Sequence, residues 1–386
     1  MKFVRLLLKN LLRNKRRTFL TLSSIAVSLF LVATLQTILS SLENPPETPD
    51  SALRLVVRHR ISLFNTLPIA DLEKIRNVEG VEAATGSMWY GAIYKDPSNF
   101  FANFSVNTDQ FFQVYPDLEM PEEQKEAFVK DRMGAIAGRN LADRFDWKLG
   151  QRLFLKSNTW PLDGVELTIR GIYDGGSDEA SSFYLHWDYW NELMKERYGS
   201  WDRTGTFAVR VASAESIGPV AERIDALFKN SEFPTKTETE KSMVLSFVSM
   251  LGDVQTFVTS IISVVVFAII LVAANTMAMS IRERTREIGV LKALGFRNRQ
   301  VLGLLIGEAV VLSVGGALIG TTTARVIYHG LPLAQMTSGF VRSLDVTAWT
   351  FLFCCGIGLF VGLVSAGVPA WQASRKPVVE ALRRVI

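Results

Sequence analysis

Four stretches of this chain carry no charge for long enough to cross a bilayer, which takes about 20 residues of helix. They cover residues 18–42, 254–281, 300–324 and 346–374, with Glu308 interrupting the third. The first follows a basic segment, as a signal peptide does. Its apolar core is longer than the roughly 7–15 residues of such a peptide, and no small-x-small cleavage site follows. It is therefore read as an uncleaved anchor. Ahead of it, Lys2, Arg5, Lys9, Arg13 and Arg16 recur at helical spacing, with Phe3, Leu7 and Leu11 on the other side. This predicts an amphipathic helix over 1–17, lying in the interface with its basic face toward anionic headgroups. Trp349 and Trp371 bracket the fourth run. As a helix their separation is about 33 Å, close to the hydrocarbon thickness, which suits an aromatic belt at both interfaces.

Between the first two runs the pattern changes to that of a soluble α/β domain. The first helix stops at Asn44-Pro45-Pro46, because proline cannot continue it. Residues 53–57, 81–85, 100–106, 134–137, 152–156, 165–172 and 206–211 alternate or run apolar at strand length. Residues 68–77 and 214–229 show helical spacing, the latter through Ile217, Val220, Ile224 and Leu227. The strand–helix–strand at 53–85 and the strand–helix at 206–229 are expected to pack together, which makes 99–205 an inserted subdomain of a domain spanning 43–237. At its end Met243, Phe247, Leu251, Val254 and Val258 follow one another at three or four residues. They predict one helix from 238 into the second span, so that the helices flanking the domain form a stalk. The fold class is thus an α-helical membrane protein with four transmembrane helices and a large α/β extracytoplasmic domain on a helical stalk.

Charge orients this arrangement. Residues 1–17, 282–299 and 375–386 together hold seventeen basic and three acidic side chains, whereas 43–253 holds 23 basic and 33 acidic. Basic loops stay in the cytosol. Both termini and the 282–299 loop are therefore expected inside, and the acidic domain and the short 326–345 loop outside.

Little chemistry is carried by the chain itself. The dipeptide Gly-Lys never occurs, so there is no phosphate-cradling GxxxxGK[ST] loop. No HExxH is present, and His59, His186 and His329 are far apart. The turn DGGSDE at 174–179 does not match a calcium loop. Cys354 and Cys355, the only cysteines, lie in the fourth run and offer no disulfide framework to the rest. Gly316-xxx-Gly320 and Gly358-xxx-Gly362 suit close helix approach in lipid.

The most telling stretch is 275–295, NTMAMSIRERTREIGVLKALG. An uncharged run ends at Arg282, and a charged segment with Ile288, Val290, Leu291 and Leu294 interleaved leads to the third run. It predicts a short amphipathic helix at the membrane surface between two spans. Glu308 lies nine residues beyond Arg299, about 13 Å deep, so it is not a helix-end charge. Two readings stay open: an ion pathway, or a structural group satisfying polar neighbours, for which Asn275 stands at similar depth. The structural reading is preferred, since no paired broken helices or cluster of midplane polar groups is evident.

These residues resemble the MacB/LolC/FtsX-type permeases of type VII ABC transporters. The likeness rests on Asn275 followed by ERTREIGVLKALG, on LLRNKRR at 11–17, and on PAWQAS and PVVEALR in the tail. It rests also on a helix ending in VEGV near 81 and on GRNLADRFDWKLGQRL at 138–153. The resemblance implies a MacB-like periplasmic core domain in a bacterial inner membrane. It implies a homodimer, or a heterodimer with a similar permease, bound to two ABC ATPase subunits that carry ATP and Mg. An adaptor and an outer-membrane channel are open additions. The family's coupling helix maps onto Glu283, Arg284, Arg286, Glu287, Ile288, Gly289, Leu291, Lys292, Leu294 and Gly295, which would dock into a groove on the ATPase. No cofactor is expected on this chain, no catalytic or metal residue, and no nucleic acid among its partners.

Three functions are weighed. The leading one is the permease subunit of an ATP-driven machine that exports or extracts envelope substrates. The second is an ATP-driven regulator of a periplasmic enzyme without transport, and the third a proton-driven transporter centred on Glu308.

Overall fold

The computed structural model describes residues 15–44, 48–160, 162–175, 181–250, 252–330 and 344–377. The expected interfacial helix falls largely outside these residues, with Lys2, Arg5, Lys9 and Arg13. So do most of the 326–345 loop, most of the DGGSDE turn and the tail beyond Pro377. Two compact units emerge. One comprises 1–44, 251–331 and 344–386, and the other 45–250 with 332–343. The first opens on helix α1 (Lys15–Glu43).

The second unit runs β1 (Arg54–His59), β2 (Leu67–Pro68), α2 (Asp71–Arg76), β3 (Val81–Trp89), β4 (Ala92–Ile93), β5 (Ala102–Val106), α3 (Phe111–Val114), α4 (Glu122–Lys130) and β6 (Gly134–Gly138). It continues with α5 (Arg139–Phe145), β7 (Arg152–Ser157), β8 (Val165–Tyr173), β9 (Ser182–His186), α6 (Trp187–Tyr198), β10 (Arg203–Thr204), β11 (Thr206–Val211), α7 (Ile217–Phe228), β12 (Thr235–Thr239) and α8 (Glu240–Met250). Among the described residues ten strands form one sheet, in the order β12-β1-β11-β3-β5-β9-β6-β8-β7-β4, and β2 pairs with β10 apart from it.

The strand–helix units at the two ends of the domain do pack together. Leu72 and Ile75 of α2, and Val220, Ile224 and Phe228 of α7, cover Leu55, Val57, Phe207 and Val209. The middle segment has its own core around Phe101, Trp147, Phe183 and Trp190. It is nevertheless continuous with the first part, because β3 pairs with β11 through Ala84 and with β5 through Ser87. The insertion therefore extends one sheet and does not form a separate layer.

The predicted helix from 238 to 258 is corrected. Residues Thr235–Thr239 form a strand against β1, with β-branched threonines on its pleat. Helix α8 then begins at Glu240. It ends before Gly252, whose φ of 100° no continuing helix adopts. Asp253 starts a new helix by accepting the Thr256 N–H at 2.9 Å.

Charged pairs bind the entry and exit of the domain. Arg54, only 2% exposed, opens β1. Its Nη1 donates to both oxygens of Asp117 at 2.8 and 2.7 Å and its Nε to Glu240 at 3.0 Å, over the ring of Tyr115. Burial works against this charge, but Glu240 and Asp117 hold the guanidinium even more firmly protonated than usual. Two residues along β1 from Val56, Arg58 meets Glu238 of β12 at 2.6 Å, and Lys236 reaches the same carboxylate at 2.7 Å.

The membrane unit resumes with α9 (Val254–Glu283), α10 (Thr285–Ala293), α11 (Asn298–Gly330) and α12 (Ala348–Arg375). Among the described residues α1, α9, α11 and α12 are long and apolar enough to cross a membrane. Helix α11 packs against both α1 and α12, and glycines set the distance. A Cβ on Gly316 would stand 2.6 Å from Cγ2 of Ile25, and one on Gly362 would stand 2.7 Å from Cα of Val310.

Two outcomes follow for the domain. Arg54→Leu leaves Asp117 and Glu240 facing each other without their cation, and is expected to cost about 3–5 kcal/mol in chemical unfolding followed by tryptophan fluorescence. Burial also depresses the pKa of His186, whose Nε2 lies 2.6 Å from the Phe128 carbonyl oxygen, and that of His59. Both imidazoles take up protons less readily in the folded domain than in the unfolded chain, which protonates them below about pH 6.5. Stability is therefore flat above that pH and falls below it, by up to about 1.4 kcal/mol per pH unit for each group. His186→Asn removes its share of the slope.

Candidate functional site: the helix between the second and third spans

Helix α9 ends at Glu283 because Arg284 leaves the helical region, with φ −99° and ψ 13°. The chain turns there and α10 begins. The nine residues of α10 close on Gly295, at φ 93°. The Gly295 N–H bonds the Lys292 carbonyl at 3.1 Å and the Phe296 N–H bonds the Leu291 carbonyl at 3.1 Å. This is the Schellman arrangement, and it depends on a residue that tolerates a positive φ. Glu283 thus closes a span, and Leu294 and Gly295 terminate the short helix.

Charged links bind the end of α9, the corner after it and α10 in turn to the other three spans. Glu283 pairs with Arg17 at the start of α1. Arg284 donates its Nη1 to both carboxylate oxygens of Glu308, at 3.0 and 3.1 Å, and so grips α11. Lys292 donates to the carbonyls of Ser374 and Lys376, at 2.8 and 2.7 Å, capping the C-terminal end of α12. An apolar contact completes the seat: Ile288 is buried with Ile281, Val301, Leu305, Ala370 and Ala373.

The geometry sorts the predicted docking residues. Ile288 and Gly289 are buried against the chain's own helices, and Arg284 and Lys292 are engaged inward. These four are corrected from docking groups to anchoring groups. The face that the amphipathic pattern marks is the one that seats α10 on the bundle. Arg286, Val290 and Leu294 are exposed, with Leu294 at 73%. Glu287 and Leu291 are half-buried at the margin.

Asn275 is not the partner of Glu308. It lies exposed on α9, and the buried carboxylate is taken by Arg284, a full charge on a side chain long enough to reach it. Equal depth along two helices was the signal for Asn275, and depth says nothing of azimuth. Arg17 and the Ser374 and Lys376 carbonyls have no local signal in the sequence beyond the basic residue in the last turn of α10. Arg16, Trp349 and Trp371 are exposed. Among the described residues no cluster of histidine, cysteine and carboxylate could hold a metal ion.

Removing either member of the Arg284–Glu308 pair strands a charge in the bundle. Arg284→Met and Glu308→Leu are each expected to lower stability in detergent by about 3–5 kcal/mol, while the double variant recovers much of the loss. Glu308→Gln, which still accepts from Arg284, is expected to be milder. Thermal unfolding of the purified variants measures all four.

Comparison with known proteins agrees with this architecture. The profile of the MacB-like periplasmic core domain matches residues 18–227, and that of the FtsX-like permease C-terminal region matches residues 259–378. An ABC transporter permease of Methanocaldococcus jannaschii is 26% identical over 332 residues, covering 81% of this chain and 78% of its own. The ABC transporter permease YknZ of Bacillus subtilis is 23% identical over 98% of both chains. A macrolide export ATP-binding/permease protein MacB of Nitrobacter winogradskyi is 25% identical over 96% of this chain and 58% of its own. A profile over half the chain, a second over its last spans and relatives matched along nearly its full length place this chain in the MacB/FtsX family of ABC-transporter permeases.

Proposed function

We propose that this chain is the permease subunit through which an ABC ATPase drives an extracytoplasmic domain, acting on substrates in the cell envelope. Helix α10 receives the motion of the ATPase, and the four spans carry it to the acidic α/β domain. The reading places the complex in the cytoplasmic membrane with both termini and α10 in the cytosol, in line with the concentration of Lys and Arg in those segments. It takes two permease copies, or this chain and a similar one, with two ATPase subunits that bind ATP and Mg. The joint ATP-binding and permease name of the MacB relative supports an ATPase partner, and these residues hold no Gly-Lys phosphate loop of their own.

The carrying observation is the way α10 is held. Ile288 seats α10 on the bundle and Lys292 ties it to the end of α12, while the corner from which it starts is tied to α1 through Glu283 and to α11 through Arg284; a helix that only joined two spans would need none of these. With those links, a push on α10 displaces the ends of all four spans. Its free face, Arg286, Val290 and Leu294, is small, mixed and outward, as suits insertion into a groove.

The test is co-purification of the chain with its ATPase. Arg286→Glu and Leu294→Asp, neither of which touches an anchoring contact, are expected to weaken association at least tenfold and to abolish permease-dependent ATP hydrolysis. Unchanged association in both variants, with normal folding, would remove α10 as the docking element.

A further inference from the structure

We propose that the cytosolic-side groove between α9 and α12 is a binding site for the phosphate headgroup of an anionic phospholipid. The groove measures about 120 Å³. Two facing helix stripes build it. From α9 come Ala278, Ile281 and Arg282; from the end of α12 come Pro369, Gln372 and, one residue past the helix, Lys376. Ile288 of α10 contributes to the floor.

The charges of this groove are unbalanced. Arg282 is exposed and Lys376 half-buried, and neither makes an ion pair among the described residues. The acids close by are already engaged: Glu283 by Arg17 and Glu308 by Arg284. Two cations on opposite walls therefore stand over one opening. Each also faces the negative end of a helix, which accounts for a cation on either helix but not for their convergence over a shared cavity.

The walls decide what kind of anion fits. Ala278 and Pro369 lie a turn or more deeper in their spans than the two cations, and both are small. The deeper end of the groove, lined by Ala278 and Pro369, is thus apolar, while its outer end carries the two cations. An anion with an apolar body matches it better than a free one. The exposed indole of Trp371, with the Arg375 guanidinium 4.3 Å over its ring, sits one residue from Gln372 and marks the interfacial level. Basic pockets between spanning helices on this side are a recurrent setting for acidic headgroups.

The full chain, reconstituted in nanodiscs of phosphatidylglycerol and phosphatidylcholine and then released into mild detergent, tests this by native mass spectrometry of retained lipid. The wild type should keep phosphatidylglycerol over phosphatidylcholine. Arg282→Gln with Lys376→Gln should lose that preference by about tenfold or more. Ala278→Leu, which narrows the groove and leaves both charges, should lose it too, whereas Arg299→Gln, an equal loss of charge elsewhere on the same surface, should not. Inorganic phosphate at millimolar concentration should fail to displace the lipid. Unchanged retention in both the double and the Ala278→Leu variants overturns the proposal. So does displacement by phosphate alone, which would make this a free-anion site. Weakened ATPase association with lipid retention intact would assign the two cations to the partner protein instead.

Discussion

The membrane unit turns on one buried ion pair. Glu308 is 4% exposed inside a helix that otherwise runs apolar, and its tolerance there depends on Arg284. A lone carboxylate in such a place costs several kcal/mol, and a lone guanidinium costs the same again. Together they are affordable only when held in contact, so the pair acts as a positional constraint. Arg284 is also the residue at which α9 breaks and α10 begins. The corner of the chain is thereby locked to α11 about three turns in from its start, and the direction in which α10 leaves the bundle follows from it. Once α10 is so directed, Ile288 falls on the bundle, Lys292 reaches the end of α12, and Arg286 and Leu294 turn outward.

The extracytoplasmic domain uses the same device at its own base. Arg54 begins β1 and Glu240 begins α8, so the guanidinium joins the strand by which the chain enters to the helix by which it leaves. Asp117, on the loop after α3, brings the extended part of the sheet into the same contact. A buried, forked cation with two carboxylates and an aromatic face has little room to rearrange, which fixes these three segments of the domain to one another.

Much of this was legible before any coordinates. Spans follow from uncharged length, and strands with one wet face follow from alternation, as in β7 and β8, whose burial alternates along Leu153–Leu155 and Val165–Tyr173. What escaped had no period to read. All five residues of β9 are buried, because it lies between β5 and β6 with helices over it, and its run SFYLH has neither alternation nor a long apolar stretch. In β12 the sequence TKTET looks like a polar loop or a helix start, and only pairing with β1 makes it a strand. The stripe from Met243 to Val258 has helical spacing across a break, since Gly252 and Asp253 interrupt the backbone without disturbing the count. The site shows the same division. The amphipathic face was visible, while the partners of Glu308, Glu283 and Lys292 lie 24, 266 and 82 residues away and depend on how the bundle is wound.

The pairing of Glu308 also bears on the choice between a driven permease and a proton-coupled carrier. A carrier that loaded a proton on this carboxylate would have to release Arg284 in each cycle, since the guanidinium donates to both of its oxygens. Release would leave a permanent cation in the bundle, because arginine does not give up its proton in proteins. It would also free the corner that holds α10. The chain would then break its own link between the corner and α11 in every cycle. A structural Glu308 avoids this conflict. It keeps the carboxylate, the corner and the short helix in one fixed arrangement.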